Sequence, residues 1–210
     1  MKKFIILGLD RTGKTTAAEL LSILSEGRIS FKDTSEMLGD VPEIPKTLRL
    51  LAKKWQRDRN SSIVSAARKA FCRKSLADIY STYSKEILDH NFKFADIYVG
   101  LRDEKVIEAL RQNSDYVFIE VWAYERLIDA STSMSGIAAL RASWKTRLAE
   151  RNTNLTLFNN GSVNVLIDNC RQLIEYLEAS GYLRKKTSVI GWIVAQWKLL
   201  RFLWRFHLEE

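Results

Sequence analysis

The sequence predicts an α/β fold: a five-stranded, mainly parallel sheet with helices on both faces, plus a C-terminal amphipathic helix. Three observations predict it. Five short apolar segments alternate with segments of helical periodicity. No hairpin signal joins any two of them. The first segment runs into a glycine-rich loop that a helix follows at once. Strands separated by helices pair in parallel through right-handed crossovers, which place helices on both faces of the sheet.

Lys3–Leu7 (KFIIL) is a short apolar run ending at a glycine, the pattern of a buried parallel strand. Thr15–Ser25 carries apolar residues at helical spacing. Arg28–Lys32 is expected as the second strand, closing at Asp33, and residues 37–45 as a loop holding both prolines of the chain, Pro42 and Pro45. From Lys46 to Asp89 the chain is rich in charge and alanine, with the long periodicity of two or more helices. Asp96–Val99 is the third strand and Glu104–Arg111 a helix. Tyr116–Trp122 (YVFIEVW) is the fourth strand, since β-branched and aromatic side chains suit a pleated surface. Glu125–Arg151 reads as helical and basic. Leu155–Phe158 is the last strand, stopped by Asn159-Asn160-Gly161, and Val163–Ala179 is an amphipathic helix that Gly181 ends.

The 210 residues suit one ordinary domain and are too few for two full-sized ones. With 46% hydrophobic and 28% charged residues, wholesale disorder is excluded. A chain this long buries roughly 70% of its unfolded surface and needs no disulfide or structural metal. Cys72 and Cys170 stand far apart with no ligand-spaced companion, which excludes a zinc ribbon and points to a reducing compartment. The apolar run after Lys3 is shorter than the roughly 7–15 residues of a signal core, so a cytoplasmic protein is expected. A net charge of +8 predicts a polyanionic partner: nucleotide phosphates, nucleic acid or an anionic membrane.

The sharpest motif is Gly8-Leu9-Asp10-Arg11-Thr12-Gly13-Lys14-Thr15, which satisfies GxxxxGK[ST] between a strand and a helix. Glycines at these positions let successive backbone N–H groups point into one anion cavity, and the helix adds its positive end. Lys14 is expected at the β- and γ-phosphates and the Thr15 hydroxyl on Mg²⁺. The expected nucleotide-binding set is therefore Gly8, Asp10, Arg11, Thr12, Gly13, Lys14, Thr15 and Thr16, with ATP and Mg²⁺ as cofactors. A carboxylate at Asp10 repels phosphate unless it accepts a hydroxyl hydrogen bond or pairs with a cation, and both uses stay open.

The string GLDRTGKTT resembles the phosphate loop of thymidylate kinases, in which an acid contacts the acceptor sugar and an arginine the phosphates. Residues 95–127, ADIYVGLRDEKVIEALRQNSDYVFIEVWAYERL, resemble the central region of phage-type deoxynucleoside monophosphate kinases, and LTLFNNGSVNVLIDNCRQLIEYL resembles that family's last strand, turn and helix. The resemblance implies a P-loop kinase domain over 1–182, with an acceptor-binding helical region at 34–95 and a lid-like region at 124–152. It implies ATP- and Mg²⁺-dependent phosphorylation of a (deoxy)nucleoside monophosphate. Lys14, Arg11, Arg102 and Arg126 are then the catalytic candidates, and Asp10, Asp33, Arg49, Arg59 and Arg102 the acceptor contacts. Arg57 joins the acceptor segment, and Arg141, Arg147 and Arg151 the lid; planar guanidinium forks suit phosphate. Glu108-Ala109 match the family's helix. Gly100 stands where the family has an aspartate and Val106 where a glutamate often follows. Asp33 and Asp103 are the acids near enough in sequence to compensate. A nucleotide sensor or scaffold with weak turnover is the alternative.

Residues 184–210 form an addition that this resemblance does not need. They hold six Lys/Arg against two acids, about half of the net charge. Val189–Leu208 (VIGWIVAQWKLLRFLWRFHL) places Lys198, Arg201 and Arg205 within roughly a 60° arc of an otherwise apolar helix. Three cations near its centre disfavour spanning a bilayer. Self-association into a homo-oligomer, packing on the domain and a peripheral membrane contact are the uses left open, with assembly preferred; no sequence-specific nucleic-acid binding is expected.

Overall fold

The computed structural model describes residues 2–8, 12–101, 103–123, 155–185 and 189–207. Strand β1 (Lys3–Leu7) alternates its side chains between two apolar cores, Phe4 and Ile6 to one, Ile5 and Leu7 to the other. A strand buried on both faces needs a near-continuous apolar sequence, which KFIIL supplies. β1 pairs in parallel with β2 (Ile97–Val99) on one side and β3 (Tyr116–Trp122) on the other, and β3 pairs in parallel with β4 (Leu155–Phe158). The order is β2-β1-β3-β4.

Among the described residues the sheet thus has four strands rather than the five expected. Arg28–Lys32 makes one isolated parallel bridge, Phe31 to Ile97, on the open edge of β2. The Ser30 carbonyl accepts from the Asp96 and Ile97 N–H groups at the start of β2 (2.8 and 3.1 Å), but its own N–H is taken by a side chain. The Asp96 carboxylate accepts from the Ser30 N–H (3.0 Å) and hydroxyl (2.6 Å), and Lys3 Nζ donates to it at 2.8 Å. With β2 only three residues long, little edge remains for a ladder. Burial opposes ionisation of Asp96, but the bonds from Lys3 and Ser30 outweigh it and hold the carboxyl below its usual range.

The described helices are α1 (Lys14–Leu24), α2 (Thr34–Met37), α3 (Lys46–Asn60), α4 (Ala66–Thr82), α5 (Ser84–Asn91), α6 (Glu104–Arg111), α7 (Val163–Ala179) and α8 (Val189–His207). One core joins the sheet to α1, α7 and α8; the other joins it to residues of α3 to α6. Helices therefore lie on both faces. The segment 37–45, expected as a loop, is a packed corner. Met37 ends α2, Leu38–Asp40 form a 3-10 turn, and Leu38, Val41 and Ile44 are buried. Their three-residue spacing carried that signal, which the prolines obscured. The expected basic helix Glu125–Arg151 lies outside the described residues.

Cys72 and Cys170 are both buried free thiols, and burial pushes Cys170 up to about 12, a poor nucleophile. In α8, Leu199 and Phe202 join the core beside α1, and Arg205 reaches Glu19 of α1 at 2.7 Å.

Candidate functional site

The C-terminal ends of parallel strands are where open α/β sheets receive ligands. β1 delivers the glycine-rich loop to that edge. Gly8 has φ +145° and Gly13 φ +82°, conformations that L side chains rarely adopt. Space forbids a side chain as well. A Cβ on Gly8 would stand 2.6 Å from the Val121 carbonyl oxygen, and one on Gly13 would strike the Asn159 amide. Lys14 turns back across the loop, its Nζ donating to the Gly8 carbonyl at 2.8 Å. Thr12 is 2% exposed. Thr15 is exposed in the first turn of α1, a turn with no acidic residue and no side-chain cap. The first N–H groups and positive end of α1 suit an anion. Asp10 and Arg11 lie outside the described residues.

One residue absent from the expected site set holds this loop. Asn159, just past β4, is 1% exposed; its Nδ2 donates to the Thr12 carbonyl at 2.8 Å and its backbone N–H to Trp122 O at 2.7 Å. The loop is thereby tied to the ends of both β3 and β4. Asn159 Oδ1 is buried without a hydrogen-bond partner among the described residues. The Asn-Asn-Gly turn marked this position in the sequence only as a strand stop. A second overlooked residue is Glu120, a lone acid within apolar β3. It is 5% exposed and pairs in register with Leu7, one residue before the loop.

Around the loop, Thr15 and Asp33 line one cleft of about 990 Å³, together with Lys32, Lys198 and Arg201. Asp33 also lines an adjoining cleft of about 880 Å³ whose far wall is the end of α3, with Lys53, Arg57 and Arg59. The structure thus brings Thr15, Asp33 and Arg59 to neighbouring spaces. Arg49, two turns earlier on α3, is not among the residues lining them. Asp103, one acid offered for the missing aspartate, caps α6 instead, its Oδ1 accepting from the Lys105 (3.0 Å) and Val106 (3.3 Å) N–H groups. Gly100, in the aspartate's place, has φ +97°. Arg102 and the lid arginines Arg126, Arg141, Arg147 and Arg151 lie outside the described residues.

The fold and this loop define an α/β protein with a parallel sheet and a glycine-built cradle at its strand ends. Compared with known proteins, the chain matches no family model and no curated protein.

Proposed function

We propose that this protein is a P-loop nucleoside monophosphate kinase, transferring a phosphoryl group from ATP to a (deoxy)nucleoside monophosphate. The observation that carries the proposal is the loop itself: GxxxxGKT between β1 and α1, with Lys14 bonded to the Gly8 carbonyl and both glycines where no side chain fits. A lysine parked on a loop carbonyl is poised to exchange that bond for a phosphate oxygen. Lys14 then offsets charge that builds on the transferring group, and the α1 N-terminus holds the adjacent phosphates. The acceptor monophosphate belongs in the cleft between Asp33 and the α3 arginines Arg57 and Arg59, with Arg11, Arg102 and Arg126 as further cations and Asp10 on the acceptor.

The exposed Thr15 hydroxyl at the start of α1 would hold Mg²⁺, which takes few protein ligands beside substrate phosphates and would supply positive charge to offset them. Glu120 is the acid that the sheet carries nearest to the loop in register, and it is the candidate to replace the carboxylate that Gly100 lacks.

A second reading, a nucleotide sensor with weak turnover, is favoured by one observation. Gly100 has φ +97°, a backbone that an aspartate in its place would adopt only under strain. A coupled assay with ATP and each common nucleoside monophosphate separates the two. ADP formation that depends on one acceptor supports the kinase. ATP binding without ADP formation from any acceptor supports the sensor.

A further inference from the structure

One ridge of α8 is exposed among the described residues. At 3.6 residues per turn, Ala195, Leu199 and Phe202 fall on the side packed against the domain, while Ile190, Ile193, Trp197, Leu200 and Trp204 fall within roughly an 80° arc on the opposite side. All five are more than half exposed, Trp197 at 61% and Trp204 at 67%. Such a ridge exposes several hundred Å² of apolar surface, at or above the roughly 300–600 Å² of the largest patch on an ordinary monomer.

A second copy of the chain and a lipid surface both match an apolar ridge, and charge distinguishes them. α8 contains no Asp or Glu. Lys198, Arg201 and Arg205 run along one flank of the ridge, and only Arg205 has an acidic partner among the described residues, Glu19 of α1. Pairing two α8 ridges antiparallel brings these cation rows together, and pairing them parallel sets each row against the partner's uncharged flank; in neither does an acid of α8 offset them, and uncompensated or like charges in an interface are costly. An anionic lipid surface instead offsets every one of them. Tryptophan also favours the boundary between headgroups and acyl chains. Among the described residues no helix is long and apolar enough to cross a membrane. Contact in the plane of the surface is the remaining geometry.

We propose that α8 lies in the interface of an anionic lipid bilayer, its Ile190–Trp204 ridge among the acyl chains and Lys198 and Arg201 on the headgroup phosphates. The α/β domain is thereby held at the membrane surface through the face of α8 that already packs on α1. The proposal does not depend on the kinase reading.

Co-sedimentation of the full chain with vesicles tests it. Binding is expected to vesicles of equal parts phosphatidylglycerol and phosphatidylcholine, to be absent with phosphatidylcholine alone, and to fall when salt is raised from about 0.1 M to about 1 M, which shortens screening from roughly 10 Å to 3 Å. Lys198→Gln/Arg201→Gln is expected to weaken binding by roughly thirtyfold, about fivefold for each cation. Trp197→Ala/Trp204→Ala is expected to abolish it while leaving the circular dichroism spectrum unchanged, because both side chains are more than half exposed. In the unmodified protein, brominated acyl chains are expected to quench tryptophan fluorescence. Vesicle binding that is absent, or indifferent to both double variants, overturns the proposal. So does a lipid-independent dimer abolished by Trp197→Ala/Trp204→Ala, which assigns the ridge to a second copy. A Lys198→Gln/Arg201→Gln protein that loses ATP affinity but keeps vesicle binding assigns those cations to the cleft at Thr15.

Discussion

Lys14 reaches the Gly8 carbonyl because the two ends of its loop are held together by glycines at positive φ. Its burial is partial and it adds nothing to either core, so Lys14→Ala is expected to keep its fold and melting temperature. If the loop binds triphosphate, the variant loses about a hundredfold or more of turnover, the scale of deleting one charge-stabilising donor; unchanged ATP affinity and rate would sink the assignment. Gly13→Ala differs in kind, because it forces a side chain into a left-handed backbone and against Asn159. It is expected to cost at least about 1–2 kcal/mol, or roughly 2–8 °C in Tm for a chain of this size. Asp96 sets an acid limit. Its folded-state pKa is depressed, so it stabilises the protein above the ordinary carboxylate value of 3.8 and loses that contribution as pH falls through the folded value. Asp96→Asn is expected to destabilise by about 1–3 kcal/mol at neutral pH. Denaturation curves of the variant and parent should converge as pH falls through the depressed folded-state value, and a pH-independent difference would refute the ionic role.

Elements meet at the loop through Asn159, which lets the end of β4 fix a segment nearly 150 residues earlier in the chain. Asn159→Ala removes the buried bond that the Asn159 amide gives the Thr12 carbonyl. About 1–3 kcal/mol of stability should be lost, together with nucleotide affinity if the loop is the phosphate site. Asn169 supplies the control, since its amide donates to the Phe158 carbonyl at the same 2.8 Å but in an exposed setting. Asn169→Ala should cost no more than about 0.5 kcal/mol. At the end of β2, Gly100→Asp restores a carboxylate but meets a backbone at φ +97°. Nothing stands within 4 Å of the added Cβ, so strain and not collision sets the cost, about 1–2 kcal/mol. A measured gain in stability would show that the local backbone relaxes.

The whole molecule is closed by α8 as well as by the sheet. Leu183, Leu199 and Phe202 are buried, all three in the core that α1 and α7 share. A chain ending at Gly181 therefore uncovers α1 and loses about 5–9 kcal/mol at roughly 1.5–3 kcal/mol for each large side chain. Against a typical total of 5–15 kcal/mol this leaves a marginal fold, with Tm lowered by roughly 10–35 °C. An unchanged Tm would mean that the inner face of α8 contributes nothing. The outer face contributes nothing to the fold in any case, which is why substitutions at Trp197 and Trp204 separate surface binding from stability.

The sequence by itself determined the α/β class, the four strands that pair and the glycine loop between β1 and α1. Each is a local pattern: an apolar run, a helical period, a motif of eight residues. Tertiary structure decided the rest. Arg28–Lys32 had the composition of a strand, but the Asp96 carboxylate took the Ser30 N–H across 66 positions, and no local pattern records that. Pro42 and Pro45 read as a loop, yet Leu38, Val41 and Ile44 pack because α3 to α5 cover them. Arg49 and Arg59 share a helix and a chemistry, but only Arg59 reaches the cleft with Asp33. Asn159 and Glu120 read as a strand stop and a lone acid until parallel pairing carried them beside the loop. The amphipathic period of α8 was plain in its sequence, but which apolar arc the domain would bury was not. Packing against α1 took one arc and left the other, with its tryptophans, facing outward.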